Sequence, residues 1–352
     1  MLSTNEMEGN IGVGDAIYGP LLKVLKICAL RLHIPPPTFN EANERKKLKS
    51  WAKVIFFWFI GVLILYRCIV LAINQYILME DVNLMGVNAI QLTASLLSLT
   101  GFLLIYFWQR GEFLKSFPTE IELATRLKAL KSTEKGRSYL RPWHTFWLIS
   151  LVTTLAITAA TEVVLVGEKP ILSHDRLREG TLQYISILLF IPNLFIQFWS
   201  VVCAVCSIAL LSLLHKAILS ELSYFNDEIV EAAANGQLLH VDLLINYASR
   251  HLDILIICDI FNRRINIFIS AWILLSLSAI IFNAISFFTS ISNWSTAILC
   301  ILLITIWAIN MGIVVGNCFS LYTQIHRTRY LLLYEKNIWE NANEKICFLL
   351  LL

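Results

Sequence analysis

Six nearly uncharged apolar runs mark the chain, near 52–76, 85–108, 143–166, 183–214, 265–288 and 295–318. At 1.5 Å per helical residue, about 20 apolar residues cross the roughly 30 Å hydrocarbon core of a bilayer. Lipid offers no partners to backbone N–H and C=O groups, so each run is expected to be a helix. The pattern predicts an all-α, polytopic membrane bundle. The fourth run exceeds what a membrane needs, and its end, 210–219, is expected to project beyond the bilayer. Pro192 lies inside that run, where it is expected to kink the helix.

Between the fourth and fifth runs the pattern changes to apolar steps of three and four. Leu211, Leu214, Ile218, Leu222 and Phe225 form one stripe; Leu244, Tyr247, His251 or Leu252, Leu255, Cys258 and Asn262 form another. This is the helical period, with polar residues on the opposite face. Asn235-Gly236 separates the two, where a helix stop and a turn belong. An antiparallel helical hairpin over 211–264 follows, its arms continuing the two spans. It holds 4 basic residues and 7 acidic ones, Glu221, Asp227, Glu228, Glu231, Asp242, Asp253 and Asp259. Interfacial helices carry a basic polar face, so this hairpin is expected to pack against protein rather than lie on anionic lipid. Beyond the sixth run, Phe319, Tyr322, Ile325, Tyr330 and Leu333 give a third such stripe.

Composition agrees with the pattern. Hydrophobic residues make up 57% of the 352 positions and charged residues 15%, against roughly 45–50% and about 25% in soluble domains. Lysine and arginine fix the orientation. The segments 1–53, 109–142, 215–264 and 319–352 hold 8, 8, 4 and 4, whereas 77–84, 167–182 and 289–294 hold none, 3 and none. Positive charge stays inside, so the amino terminus is cytoplasmic. The first 20 residues have no basic stretch leading into an apolar core, and no cleaved signal peptide is expected. The organisation is then a cytoplasmic segment over 1–51 carrying an amphipathic helix, a six-span bundle over 52–318, and a cytoplasmic helix with a further apolar start over 319–352.

Candidate chemistry is sparse. The seven histidines are scattered, without His-Glu-x-x-His spacing, and neither a Gly-x-Ser-x-Gly elbow nor a phosphate loop is present. No enzyme, metal centre or cofactor is expected. Cys203-x-x-Cys206 lies mid-span without a companion pair and reads as packing. The basic run RKKLKSWAK is juxtamembrane and reads as an orientation signal or lipid contact rather than a nucleic-acid site. Arg67 sits within the first span, where a charge demands a partner; Glu162, near the outer end of the third, is placed to meet it, unless Arg67 snorkels outward. In the outer halves of spans three to six, Thr158, Thr161, Tyr184, Asn193, Gln197, Asn283, Phe287 and Trp294 supply the aromatic walls and few polar groups of a small-molecule pocket. Interfacial anchoring is the other reading of Tyr184 and Trp294. The Asn293-Trp294-Ser295 sequon hugs the bilayer, and occupancy is not expected.

The layout resembles the insect gustatory and odorant receptor superfamily, in its nematode gustatory-receptor-like or serpentine class r branch. Two stretches carry the likeness: the opening IYGPLLKVLKICALRLHIPPP, and Tyr247, Leu252, Leu255 and Phe261-Asn262 before the fifth span, similar to a Tyr…Leu…Leu…Leu-Asn pattern. The resemblance implies a chemosensory, ligand-gated cation channel in the plasma membrane of sensory cells. It also implies a homo- or hetero-tetramer held by the cytoplasmic helices, and a pore lined by a seventh span. That span carries Thr-Tyr and Gln-Phe in the family, whereas here the run 346–352 would reach only about 10 Å. The expectation is a seventh span cut short, or a degenerate member acting as a non-conducting partner. A metabotropic receptor signalling through a G protein is the rival; a transporter ranks lower, since spans one to three and four to six show no repeat.

Overall fold

The computed structural model describes residues 17–28, 30, 44–77, 82–111, 113–125, 135–168, 182–289 and 294–334. Among these, apart from one short 3-10 turn, every element is an α-helix: α1 (Pro20–Ile27), α2 (Glu44–Ile77), α3 (Val82–Arg110), α4 (Phe113–Thr125), α5 (Lys135–Glu168), α6 (Leu182–Ala234), α7 (Val241–Thr289) and α8 (Trp294–Tyr334). The six longest, α2, α3, α5, α6, α7 and α8, are long and apolar enough to span a membrane. The apolar run 346–352 lies outside the described residues, as do the sequon residue Asn293 and the acidic or basic loop residues between α5 and α6.

Length separates the last three helices from the rest. Helices α6, α7 and α8 have 53, 49 and 41 residues, which at 1.5 Å each is about 80, 74 and 62 Å, at least twice the hydrocarbon core. Each runs on past span length without a break. Helix α6 stops where Asn235 N–H donates to Glu231 O at 3.0 Å and Gly236 N–H to Ala233 O at 3.1 Å. Gly236 turns the chain at φ 68°, a left-handed conformation that costs glycine nothing. A 3-10 turn over Gln237–Leu239 follows, and α7 starts with Asp242 in its first turn.

Helix α6 is the axis of the bundle. Every residue from Trp199 to His215 is buried, so this helix is enclosed on all sides rather than on one stripe, as a central helix must be. Helices α3 and α8 each pack along both α6 and α7, while α6 and α7 touch one another little. The two arms of the hairpin meet through side chains, among them Arg250 on Glu228 and Phe261 on His215, while α3 and α8 fill most of the space beside them. Gly101 permits the α3–α6 contact: a Cβ there would lie 2.6 Å from Ser207 Oγ and 2.7 Å from the Cys203 carbonyl oxygen. Small residues let membrane helices approach in this way.

An aromatic chain joins the helices at the end of the bundle where α3 meets α4. Trp108 of α3 meets Phe113 at 5.2 Å, Phe113 stacks on Phe117 at 4.6 Å, Phe117 on Phe261 at 5.4 Å, and Phe261 meets His215 edge-on at 4.6 Å. Helix α4, which the sequence left inside a basic connection, thus welds α3 to α7 and α6. Helix α1 tucks Leu21, Leu22 and Leu25, and the residues just before it, Ile17 and Tyr18, into the same core. His144 Nε2 lies 2.8 Å from Ile17 O, and Gln109 Nε2 donates to Leu30 O at 2.6 Å, fixing the ends of this segment to α5 and α3.

Candidate functional site

The helical period gathers small and polar side chains onto facing stripes at mid-span. Trp147, Thr154 and Thr158 recur on one face of α5; Gln197, Ser200, Val201, Ala204, Val205 and Ile208 do so on α6. Gln91, Ser95 and Ser98 of α3, Trp307 and Asn310 of α8, and Arg67 of α2 complete the wall. The stripes face a cavity of about 100 Å³, several times the roughly 10–15 Å³ one buried water needs on the same measure. From Trp147 to Thr158 the wall runs about 16 Å along the helix axis, inside the stretch of α5 that is apolar enough to span a membrane.

Hydrogen bonding sorts the wall into two groups. Ser98 Oγ donates to Ala94 O at 2.8 Å and Thr154 Oγ1 to Ser150 O at 2.7 Å, the back-bonding by which helical Ser and Thr satisfy themselves. Trp147 Nε1 and Ser200 Oγ are different. Their residues are 2% and 4% exposed, and neither atom has a hydrogen-bond partner among the described residues. A buried donor without a partner is costly; both of these line the cavity.

Of the residues the sequence nominated, Arg67, Thr158 and Gln197 share this cavity. The other described ones do not line it. Asn193 is half-buried on α6, one turn outward of Gln197. Asn283 is fully buried on α7, where its Nδ2 donates to Ala279 O at 2.7 Å. Phe287 packs against Phe288 at 5.4 Å, and Trp294, 79% exposed, opens α8. Thr161 and Glu162 near the end of α5 and Tyr184 near the start of α6 lie on helices, but their side chains fall outside the described residues, and with them the contact proposed between Arg67 and Glu162. Helix α7 contributes no described residue to the wall. The overlooked contribution is that of α3, whose Gln91, Ser95 and Ser98 sit at steps of four and three, a polar stripe legible in the second span.

Beneath the cavity, polar side chains tie α6 to α8. Asn317 Nδ2 donates to Ser212 Oγ at 3.0 Å. Deeper in the cytoplasmic layer Asn226 Nδ2 donates to Gln324 Oε1 at 2.9 Å and to Gln324 O at 3.1 Å, and Asn226 Oδ1 accepts from Thr328 Oγ1. Arg250 of α7 pairs with Glu228 of α6 at 3.0 Å and lies 5.0 Å over the Phe225 ring. Of the residues assigned to the bundle, Phe261 is fully buried, and Tyr247 and Leu255 are half-buried. Leu252, 57% exposed, and Asn262 face outward, because the buried stripe of α7 runs through Leu244, Ile254, Ile257, Cys258 and Phe261 instead. On α8, Phe319, Tyr322 and Tyr330 are also exposed within the single chain.

Six helices long and apolar enough to span a membrane, a cavity between them and three helices that run on past span length define a polytopic helix bundle. The chain belongs to the family described as Caenorhabditis protein of unknown function, DUF267, whose profile matches residues 17–348. The solved structure of the insect olfactory receptor OR5 from Machilis hrabei has a similar fold, with a TM-score of 0.58 and 13% identity over 96% of this chain and 88% of that one. No curated protein matches the chain.

Proposed function

We propose that the chain is a chemosensory receptor subunit that takes a small molecule into the mid-membrane cavity and couples its binding to a cation pore. The observation that carries this reading is the cavity itself, a mostly apolar wall where five span-length helices meet, with two buried donors, Trp147 Nε1 and Ser200 Oγ, that make no hydrogen bond among the described residues. Closed, mostly apolar sites with few polar groups are what small ligands need. The likeness in fold to an insect olfactory receptor supports it.

Transmission follows from continuity. Helices α6 and α8 both line the cavity and both run unbroken to the cytoplasm. A ligand that favours one separation of α3, α5, α6 and α8 shifts the population toward it. The Ser212–Asn317 and Asn226–Gln324–Thr328 links make α6 and α8 move together below the membrane. Exposed Leu252, Phe319, Tyr322 and Tyr330 then serve contacts between copies, as a homo- or hetero-tetramer in the plasma membrane of sensory cells would need.

The test is to express the full chain at the cell surface, apply a broad panel of volatile and soluble small molecules, and record current. Ala204→Phe, which fills the cavity from α6, is expected to abolish the response without lowering surface expression. No current from the surface-expressed chain across the panel would sink the channel part. A cellular response without conduction in liposomes would leave a receptor that signals through a G protein.

A further inference from the structure

Three apolar stretches end at one level of the bundle. The span-length stretch of α2 starts at Trp51, that of α3 ends at Arg110, and that of α5 starts at Tyr139. Side-chain contacts put these ends side by side. Trp58 of α2 meets Tyr106 of α3 edge-on at 4.9 Å, and Arg110 Nη1 donates to the Tyr106 hydroxyl at 3.0 Å. Helix α1 crosses from α5 to α3 at the same level, held at Ile17 O by His144 and at Leu30 O by Gln109. The bilayer boundary at this end of the molecule therefore runs past α1.

The charge there has one sign. Lys23 and Lys26 of α1, Lys53 of α2, Arg110 of α3 and Arg141 of α5 are all exposed, and the described residues 17–28, 51–55, 106–111 and 139–145 include no Asp or Glu. Helix α7 at this depth, where Phe261 stacks on Phe117, adds Arg263 and Arg264 against Asp259, which Arg263 holds at 2.9 Å. Further along the hairpin the balance reverses to 7 acidic residues against 4 basic ones over 211–264, so the positive zone is confined to the boundary. The same rim exposes apolar side chains, Ile27 at 83%, Trp51 and Ile55. An acidic protein partner would meet the lysines and leave these apolar groups unanswered. A phospholipid meets both, with its phosphate on the ammonium groups and its acyl chains on the apolar ones, the way long basic side chains sit at a membrane interface. We propose that this basic collar, centred on the outer face of α1, binds the headgroups of anionic phospholipids in the leaflet it faces. The orientation read from the basic segments makes that the cytoplasmic leaflet, which carries the anionic lipids.

The experiment reconstitutes the full chain in phosphatidylcholine vesicles with a trace of spin-labelled phospholipid and reads the protein-bound fraction by electron spin resonance. Phosphatidylserine is expected to be held about fivefold more strongly than phosphatidylcholine at low salt, the ratio one basic contact near a membrane surface supports. Added salt should shrink that preference by screening. The double variant Lys23→Gln, Lys26→Gln is expected to lower the ratio by about twofold or more, with the phosphatidylcholine-bound fraction unchanged, an outcome misfolding would not give. Lys23→Arg, Lys26→Arg keeps the charge and should keep the ratio. So should Arg329→Gln, a change of the same charge at an exposed position near the far end of α8. A ratio near one in the wild-type chain, or one that the glutamine variant leaves unchanged, overturns the proposal. An equal drop in Arg329→Gln would make the effect one of net charge rather than of this collar, and likewise overturns it. Loss of the preference on adding inorganic phosphate, at constant ionic strength, would assign the collar to a soluble anion instead of lipid.

Discussion

The link between Asn226, Gln324 and Thr328 makes the sharpest energetic prediction. Asn226 is fully buried, as is Thr328, and its amide meets Gln324 twice and the Thr328 hydroxyl once across the α6–α8 contact. Each net hydrogen bond contributes about 0.5–1.5 kcal/mol, and a buried partner left without one costs about 1–3 kcal/mol. Asn226→Ala is therefore expected to destabilise the fold by about 2–4 kcal/mol. Thr328→Val is expected to cost less, about 1–2 kcal/mol, because the same hydroxyl also shares its proton with Gln324 O at 3.0 Å. The two changes remove a common contact, so their effects are not independent, and the double variant should fall short of the sum by about 1 kcal/mol. Unfolding of the purified chain in mixed detergent micelles, followed by circular dichroism across the four proteins of the cycle, gives that coupling. If the two effects add within about 0.5 kcal/mol, the network does not bind α6 to α8 and the proposed route from cavity to cytoplasm loses its anchor.

Close approach at Gly101 gives a second prediction. Gly101→Ala is expected to cost about 1–3 kcal/mol, because the new methyl meets the Cys203 carbonyl and Ser207 Oγ and cannot move away. Gly312→Ala and Gly316→Ala, where nothing lies within 4 Å, should be neutral or gain up to about 1 kcal/mol from helix propensity; thermal unfolding of the purified variants measures both. Orientation is checked by epitope tags at the amino terminus and after Gly236. Both should be stained only in permeabilised cells, and staining of intact cells at either would reverse the assigned topology.

Much of this fold was legible in the sequence because the membrane makes patterns strict. Long apolar runs force helices, so the six span-length helices and the long extensions of the last three could be read directly. The turn at Asn235-Gly236 could be read because glycine is needed where φ is positive. What could not be read is which side of a uniformly apolar helix meets which neighbour. Residues 199–215 of α6 carry little contrast between faces, so Ser200 and Ala204 gave no sign that they border a cavity. Asn283 and Gln197 look alike in sequence; in the structure the amide of one donates to its own helix and the other lines the wall. On α7 the expected stripe was displaced by one position at Leu252 and Asn262, since a helix bounded by apolar residues on two faces leaves the buried face to its neighbours α3, α4 and α8. Helix α4 was missed because its aromatic pair, Phe113 and Phe117, is split by Lys115 and followed at once by Pro118.

The most direct measurement is a map of the full chain, in a lipid disc, with an activating small molecule bound. The account predicts ligand density inside the space between α3, α5, α6 and α8, against Trp147, Ser200 and Thr158. Ligand density on another surface of the protein, with this cavity unfilled, would contradict it.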